Sequence, residues 1–157
     1  MNEKLKNLSQ IGTSISPSLL RIGIALVFLW FGTDQIIEPS AWVAYIPDWV
    51  ISFSALSAIT IVYLNATFEI FSGMALFLGF FTRFAAFFIM LHMIDITYTV
   101  GLDAIGVRDF GLSIATIAIW LNGADFLTLD NFMKERNADG LNSAPVAPIQ
   151  EPTNPSI

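Results

Sequence analysis

The chain has 157 residues, of which 55% are hydrophobic and only 13% are charged. Soluble domains are closer to about a quarter charged, so the composition indicates a membrane protein, and a formal net charge of −6 argues against nucleic-acid binding, which needs a basic face. Because the chain has no cysteine and a single histidine, it offers no thiolate metal site, no iron–sulfur site and no bis-histidine haem site, and any redox role needs an electron carrier on a partner.

Four stretches are long and apolar enough to cross a bilayer, which takes roughly 20 residues per helix. They are residues 18–37, 55–81, 84–100 and 106–124. The prediction is an all-α fold: an integral membrane four-helix bundle over residues 18–124, between a cytoplasmic segment (1–17) and a cytoplasmic juxtamembrane segment (125–136). Residues 137–157 are rich in Pro, Asn and Ser without an apolar period, which predicts a disordered C-terminal tail.

The first span has a charged residue near each end. Arg21 is expected to extend its long side chain to the near interface. Helical spacing puts Gly23, Trp30 and Asp34 on one face, which is predicted to face the bundle interior because polar side chains are costly in lipid. No small-residue cleavage site follows the apolar core, so the span is interpreted as a retained helix.

The connection after the first span, "EPSAWVAYIPDWVISF", is rich in aromatic residues. Trp42, Tyr45 and Trp49 are spaced for one helical face, but Pro47 interrupts the helix. The pattern predicts a broken amphipathic element at the membrane interface. Its aromatic side chains fit two interpretations, an anchor without a ligand or a lid over a site.

The second span contains a single charged residue, Glu69, near its midpoint. An intramembrane carboxylate is costly enough to suggest a function. Asn65 shares its face at helical spacing. The following "GFFTRF" predicts a tight turn, which makes the second and third helices antiparallel neighbours. In the third span His92, Asp95 and Thr99 share a face.

The fourth span begins with charged residues. Only fifteen uncharged residues separate Asp109 from Asp125, which is short for a bilayer of about 30 Å. Arg108 and Asp109 are therefore predicted to lie in the first turns of the helix, inside the membrane edge.

Orientation follows from Lys and Arg, which concentrate in cytoplasmic loops. Four spans put both termini on one side of the membrane. That side then has six Lys and Arg residues, whereas the other side has only Arg108. Both termini are predicted to be cytoplasmic, in the cell (plasma) membrane.

These placements predict a polar cavity that opens towards the outside, with Glu69 and His92 at its floor. The candidate catalytic residues are Glu69, His92 and Asp95, and the candidate substrate-binding residues are Arg108, Asp109, Asp34 and Asn65. Counting residues from Arg83 puts Asp95 nearer to Glu69 in depth than His92 is, so Asp95 and Glu69 could share one proton. The alternative is that these polar side chains only pack the bundle.

Three segments carry a resemblance to a known family. They are "LLRIGIALVFLWFGTDQI", "FEIFSGMALFLGFFTRFAAFFIMLHM" and "RDFGLSIATIAIWLNG". Together they resemble the first, the second and third, and the fourth helix of the DoxX family of small membrane proteins, over about residues 18–124. The family often has Lys where this chain has Gln35. The resemblance implies a four-helix membrane bundle, and some relatives are subunits of a quinone-linked oxidoreductase.

Three functions stay open on the sequence. The first is a membrane subunit of an oxidoreductase complex that binds a quinone, with no covalent cofactor of its own and a redox partner subunit. The second is a non-catalytic subunit that assembles or stabilises a larger membrane complex. The third is a small proton-coupled transporter. Bound quinone, defined partners or uptake by proteoliposomes would favour the first, second or third, respectively.

Overall fold

The computed structural model describes residues 3–101 and 103–142. The described residues are helical almost throughout and contain no strand. Seven α-helices follow one another within these residues, and a 3-10 turn (Val43–Tyr45) separates the second from the third: α1 (Glu3–Ile37), α2 (Pro39–Trp42), α3 (Asp48–Ser54), α4 (Ala58–Leu78), α5 (Thr82–Val100), α6 (Ala104–Asn122) and α7 (Leu129–Asn142). Helices α1, α4, α5 and α6 are each long and apolar enough to cross a membrane. The predicted four-helix membrane fold is confirmed.

Two boundaries differ from the sequence prediction. Helix α1 begins at Glu3, well before the predicted first span, and continues through Pro17 without a break. Its buried face begins at Ser18. Helix α7 reaches Asn142, so residues 137–142 of the predicted disordered tail are helical. The rest of that tail lies outside the described residues.

The bundle has two chemically different ends. At the lid end, which α1 and α5 reach with their C-termini, Ser57 caps α4 and Asp103 caps α6 by accepting backbone N–H bonds. At the opposite turn end, α4 stops at Gly79, whose φ of +68° is a left-handed conformation suited to glycine. The chain between α1 and α4, residues 38–57, forms the lid and includes α2 and α3.

The core lies where the four long helices meet. Helix α1 packs most extensively on α4, and α5 on α6, while α4 and α5 are antiparallel neighbours as predicted but share a smaller contact. Two glycines permit the close approach of α1 and α4: a Cβ on Gly32 would lie 2.9 Å from the Ala66 carbonyl oxygen, and one on Gly73 would lie 3.2 Å from Phe28 Cβ. The buried apolar core includes Ala25, Phe28, Leu76, Ala86, Ile89, Met93 and Ile119.

Candidate functional site

Glu69 faces the interior of the bundle, as predicted, with only 3% of its surface exposed. It belongs to the buried face of α4, in which positions recur at intervals of three and four residues: Val62, Ala66, Glu69, Gly73 and Leu76. This face meets α1, so the same helical spacing that buries the apolar residues also carries the carboxylate inside.

Two amide side chains hold the Glu69 carboxylate. Gln35 Nε2 donates to Glu69 Oε2 at 2.9 Å, and Asn65 Nδ2 donates to Glu69 Oε1 at 2.9 Å. Asn65 Nδ2 also donates to Gln35 Oε1 at 2.9 Å. The three side chains therefore form a closed hydrogen-bonded ring between α1 and α4. We call these residues, together with His92, the Glu69 cluster.

His92 is the titratable neighbour of Glu69. Its Nε2 lies 3.3 Å from Glu69 Oε1, and the Phe68 ring packs edge-to-face on the imidazole with 4.9 Å between centroids. The contact brings together two of the three predicted catalytic residues.

Asp95, the third predicted catalytic residue, lines the same cavity but stays exposed and makes no hydrogen bond to Glu69. The expectation that Asp95 shares a proton with Glu69 is wrong for this arrangement. Depth along the helix axis favoured Asp95, but rotation about that axis decides which side chain points at α4. Three residues fall about 60° short of a full helical turn, so His92 and Asp95 both line the cavity while only His92 points at Glu69.

Arg108 and Asp109 lie in the second turn of α6, as predicted. Arg108 Nε donates to Asp109 Oδ1 at 2.7 Å, with the Asp109 side chain 3% exposed and the Arg108 side chain 45% exposed. The guanidinium also stands 4.8 Å above the centre of the Phe31 ring, a favourable cation–π distance. One side of the guanidinium is thus anchored, and the rest remains accessible at the cavity.

The lid is attached to α1 by Asp34, which accepts a hydrogen bond from Trp42 Nε1 at 3.0 Å. Trp42 packs edge-to-face on Phe31 and also contacts Tyr45. Asp34, a predicted substrate-binding residue, does not line the cavity and supports the lid instead. Trp42, Tyr45 and Trp49 all line the cavity, which favours a lid over an anchor that only holds the interface.

The side chains above enclose a cavity of about 230 Å³ at the lid end. Its polar lining includes the Glu69 cluster, Asp95, Arg108 and Asp109, and its apolar lining includes Phe28, Phe31, Ile61, Met93 and Leu112. In the described part of the chain, no three His, Asp or Glu side chains converge as metal ligands. The cavity therefore combines flat apolar walls with hydrogen-bonding groups at its floor and side.

A comparison with protein-family models matches residues 16–102 to the DoxX family. The chain belongs to the DoxX family. The matched segment covers more than half of the chain and contains all four members of the Glu69 cluster, but it ends before Arg108 and Asp109. Neither curated proteins nor solved structures match the chain.

The inward face of α1 in this DoxX protein differs from the predicted one. Trp30 is 68% exposed and Gly23 is also exposed, so the predicted polar stripe of α1 is wrong for both. The buried positions instead recur at seven-residue spacing: Ser18, Arg21, Ala25, Phe28, Gly32 and Gln35. This pattern identifies Gln35, which the sequence prediction missed. The sequence signal for Gln35 is that it continues the helical face of Arg21, on which Ala25 and Gly32 are small enough for a neighbouring helix to approach.

The same face of α1 builds a second polar cluster at the turn end of this DoxX protein. Arg21 is 1% exposed, donates to Asp125 at 2.8 Å, and also donates to the carbonyl oxygens of Leu76, Phe77 and Leu127. The expected extension of Arg21 to the interface is therefore wrong, because internal acceptors replace water. Ser18 Oγ also donates to Asp125. We call Ser18, Arg21 and Asp125 the Arg21 cluster.

Electrostatics in the Arg21 cluster favour the charged pair. Burial alone would raise the pKa of Asp125, but hydrogen bonds from Arg21, Ser18 and the Leu127 N–H, together with the Arg21 charge, outweigh burial and lower the pKa below 3.8. The cluster is thus charge-balanced and saturated with partners.

Proposed function

We propose that this DoxX protein is the quinone-binding membrane subunit of an oxidoreductase complex. The single observation that carries the proposal is the cavity, in which aromatic walls meet a carboxylate–histidine pair and an arginine. Its volume of about 230 Å³ is below the range of about 300–1,000 Å³ that is common for drug-sized ligands. Such a space suits one ring-sized head group whose apolar tail extends into lipid.

The chemistry of a quinone matches this lining. A quinone head group is a flat ring with carbonyl oxygens, so aromatic side chains stack on it and donors bind its oxygens. Arg108 holds one oxygen, because its accessible N–H groups face the cavity. Glu69, His92 or Asp95 exchanges protons with the bound ring.

The redox reaction needs a partner subunit. Reduction of a quinone to a quinol takes two electrons and two protons, and this chain has no cysteine and a single histidine. The electrons come from a redox carrier on the partner, and the protons come from the cavity side chains and from water at its mouth. The partner therefore determines which substrate is oxidised.

Tryptophan fluorescence tests quinone binding directly. The chain has four tryptophans, of which Trp42 and Trp49 line the cavity while Trp30 and Trp120 do not. In a Trp30→Phe/Trp120→Phe background, a short-chain ubiquinone analogue should quench the lid tryptophans saturably. In a Trp42→Phe/Trp49→Phe background, saturable quenching should be lost.

Variants of arginine supply the matched comparison. Arg108→Gln should weaken quinone binding at least tenfold, which corresponds to about 1.4 kcal/mol. Arg136→Gln, an exposed position outside the four spans, should leave it unchanged. Equal quenching in both tryptophan backgrounds, with no quinone in lipid extracts of the purified protein, would contradict the proposal. Defined partners without quinone would then support an assembly role instead.

A further inference from the structure

The two oxygens of the Glu69 carboxylate have different neighbours. Oε2 receives a hydrogen bond from Gln35 Nε2, while Oε1 receives one from Asn65 Nδ2 and contacts His92 Nε2. Amide N–H groups donate and cannot accept, whereas a neutral imidazole nitrogen can do either. The kinds of neighbour therefore restrict where a proton can lie.

A proton on Oε2 would meet only the Gln35 NH₂ group, which cannot accept it. A proton on Oε1 would point to His92 Nε2, 3.3 Å away. The pair Glu69–His92 thus shares one proton between Oε1 and Nε2. Both amide donors point at the carboxylate oxygens, so the hydrogen-bond geometry places this proton on Nε2.

We propose that Gln35 and Asn65 are positioning residues that keep Glu69 ionised and fix His92 as the Nε2–H form, so that His92 Nδ1 is the atom that exchanges a proton with the ligand. This inference rests on the proposed quinone function for the identity of the ligand. It assigns an order to the groups: Gln35 and Asn65 hold Glu69, Glu69 orients His92, and His92 meets the ring.

Exposure supports this order. The His92 side chain is 16% exposed, against 4% for Glu69, so His92 is the member of the pair that a ligand reaches more easily. Phe68 packs on the imidazole and restrains its rotation. The other titratable or charged side chains that face the cavity come from α5, α6 and the lid, and none hydrogen-bonds to Glu69 in the described part of the chain: Asp95, Arg108, Asp109 and Tyr45.

The proton transfer balances with the electron transfer. Before reduction, His92 Nδ1 takes a proton from water, so that both ring nitrogens carry one. The partner's carrier then supplies two electrons to the quinone ring, and the bond between Nδ1 and its proton breaks as the quinone oxygen takes that proton. Neutral His92 then remains, still donating from Nε2 to ionised Glu69. The second proton enters from water at the cavity mouth, and a further proton from water restores His92.

Nitrogen-15 NMR tests the arrangement without any ligand, because His92 is the single histidine of the chain. The protein is labelled with ¹⁵N-histidine, reconstituted in lipid nanodiscs and titrated with acid. We expect Nε2 to stay protonated at every pH while Nδ1 takes up the titrating proton. An Nδ1–H form with bare Nε2 would overturn the proposal, and this measurement needs no variant.

Gln35→Leu tests the positioning role. Removing the donor at Oε2 leaves the Glu69 carboxylate free to rotate away from His92, so the ¹⁵N spectrum of neutral His92 should show a mixture of Nε2–H and Nδ1–H forms. Thr33→Val, an exposed neighbour that bonds only within its own helix, should keep His92 in the Nε2–H form. A single Nε2–H form in Gln35→Leu would overturn the positioning role.

The two proposals fail separately. The NMR titration reports the Glu69–His92 pair in the absence of quinone, and the fluorescence assay reports quinone binding whatever the tautomer is. A fixed Nε2–H form without quinone binding would support the proposed arrangement of Gln35, Asn65, Glu69 and His92 and would contradict quinone as the ligand. Quinone binding with an Nδ1–H form would do the reverse.

Discussion

The Arg21 cluster and the Glu69 cluster lie at opposite ends of the same face of α1, yet they are built differently. Arg21 meets a carboxylate of opposite charge and three backbone carbonyls. Glu69 meets two neutral amides and a histidine beside a cavity of about 230 Å³. All buried side-chain polar atoms in the described residues have partners, so the two clusters differ in the kind of partner and not in whether a partner exists.

This contrast separates a structural network from a candidate site. A buried charge is costly unless it is paired, and the Arg21–Asp125 pair solves that problem completely. At Glu69 the compensation is by hydrogen bonds from two amides rather than by a full opposite charge. The turn end should therefore dominate stability, and the lid end should dominate ligand binding.

The largest effect is expected from breaking the Arg21 cluster. Arg21→Leu leaves Asp125 as an unpaired buried carboxylate and should cost about 3–5 kcal/mol of stability. Thermal unfolding in mild detergent measures it. Arg21→Met/Asp125→Leu removes both charges and should recover much of the loss. A double variant as unstable as the single one would contradict the pairing argument.

The next largest effect concerns Glu69. Glu69→Leu leaves the amide donors of Gln35 and Asn65 without their acceptor and should lower the free energy of unfolding by about 2–3 kcal/mol. Glu69→Gln keeps the shape and should cost about 1 kcal/mol or less, while quinone binding falls at least tenfold. Unfolding curves and the fluorescence assay on both variants check this. Full binding by Glu69→Gln would show that the carboxylate serves packing alone.

The contact between α1 and α4 can be tested with two glycines. A Cβ at Gly32 would lie 2.7 Å from Ile70 Cγ1 and 2.9 Å from the Ala66 carbonyl oxygen, so Gly32→Ala should cost about 1–2 kcal/mol and move Gln35 away from Glu69. Gly23 has nothing within 4 Å of its Cβ position. Gly23→Ala should therefore stabilise α1 by about 0.5–1 kcal/mol. Equal thermal stability of the two variants would contradict the close approach.

A smaller, pH-dependent effect is expected at Asp130, which accepts bonds from the Phe81 and Thr82 N–H groups. Burial raises the pKa of Asp130, but these bonds and the Thr82 hydroxyl outweigh it and lower the pKa below 3.8. The folded pKa is thus below the unfolded value, so the stabilisation is present above about pH 4 and is lost as pH falls through the folded pKa.

Asp130→Asn should accordingly cost about 1 kcal/mol at pH 7 and less near pH 3. Exposed Asp48, on the lid, supplies the control: Asp48→Asn should change little at either pH. Unfolding midpoints in detergent at the two pH values measure the difference. A cost for Asp130→Asn that grows on acidification would have the wrong sign.

The orientation of the two ends is tested by substitutions with almost no effect on stability. Asp48→Cys and Lys134→Cys each create the single cysteine of the chain, since the protein has none. An impermeant thiol reagent applied to whole cells should label position 48 and leave position 134 unlabelled. The opposite pattern would place the lid end in the cytoplasm.

The sequence alone determined the membrane fold, the four spans and the inward position of Glu69. Long apolar runs have one solution in a bilayer, which is a helix with its backbone hydrogen bonds satisfied internally, and the cost of an intramembrane charge directs Glu69 inward. The same reasoning located Arg108 and Asp109 in the early turns of α6, because their distance from Asp125 leaves no alternative.

Only the tertiary structure decided which polar residues meet. Helical spacing shows which side chains share a face but not how far each helix is rotated in the bundle, so Trp30 points outward, Gln35 points to Glu69, and His92 rather than Asp95 reaches it. Arg21 found its acceptors on residues far along the chain. For Gln35 and Glu69, the rotation of the two helices and the choice of partner depend on the packing of α1 on α4 through Gly32 and Gly73. This packing needs two complementary surfaces, so the sequence of one helix does not determine it.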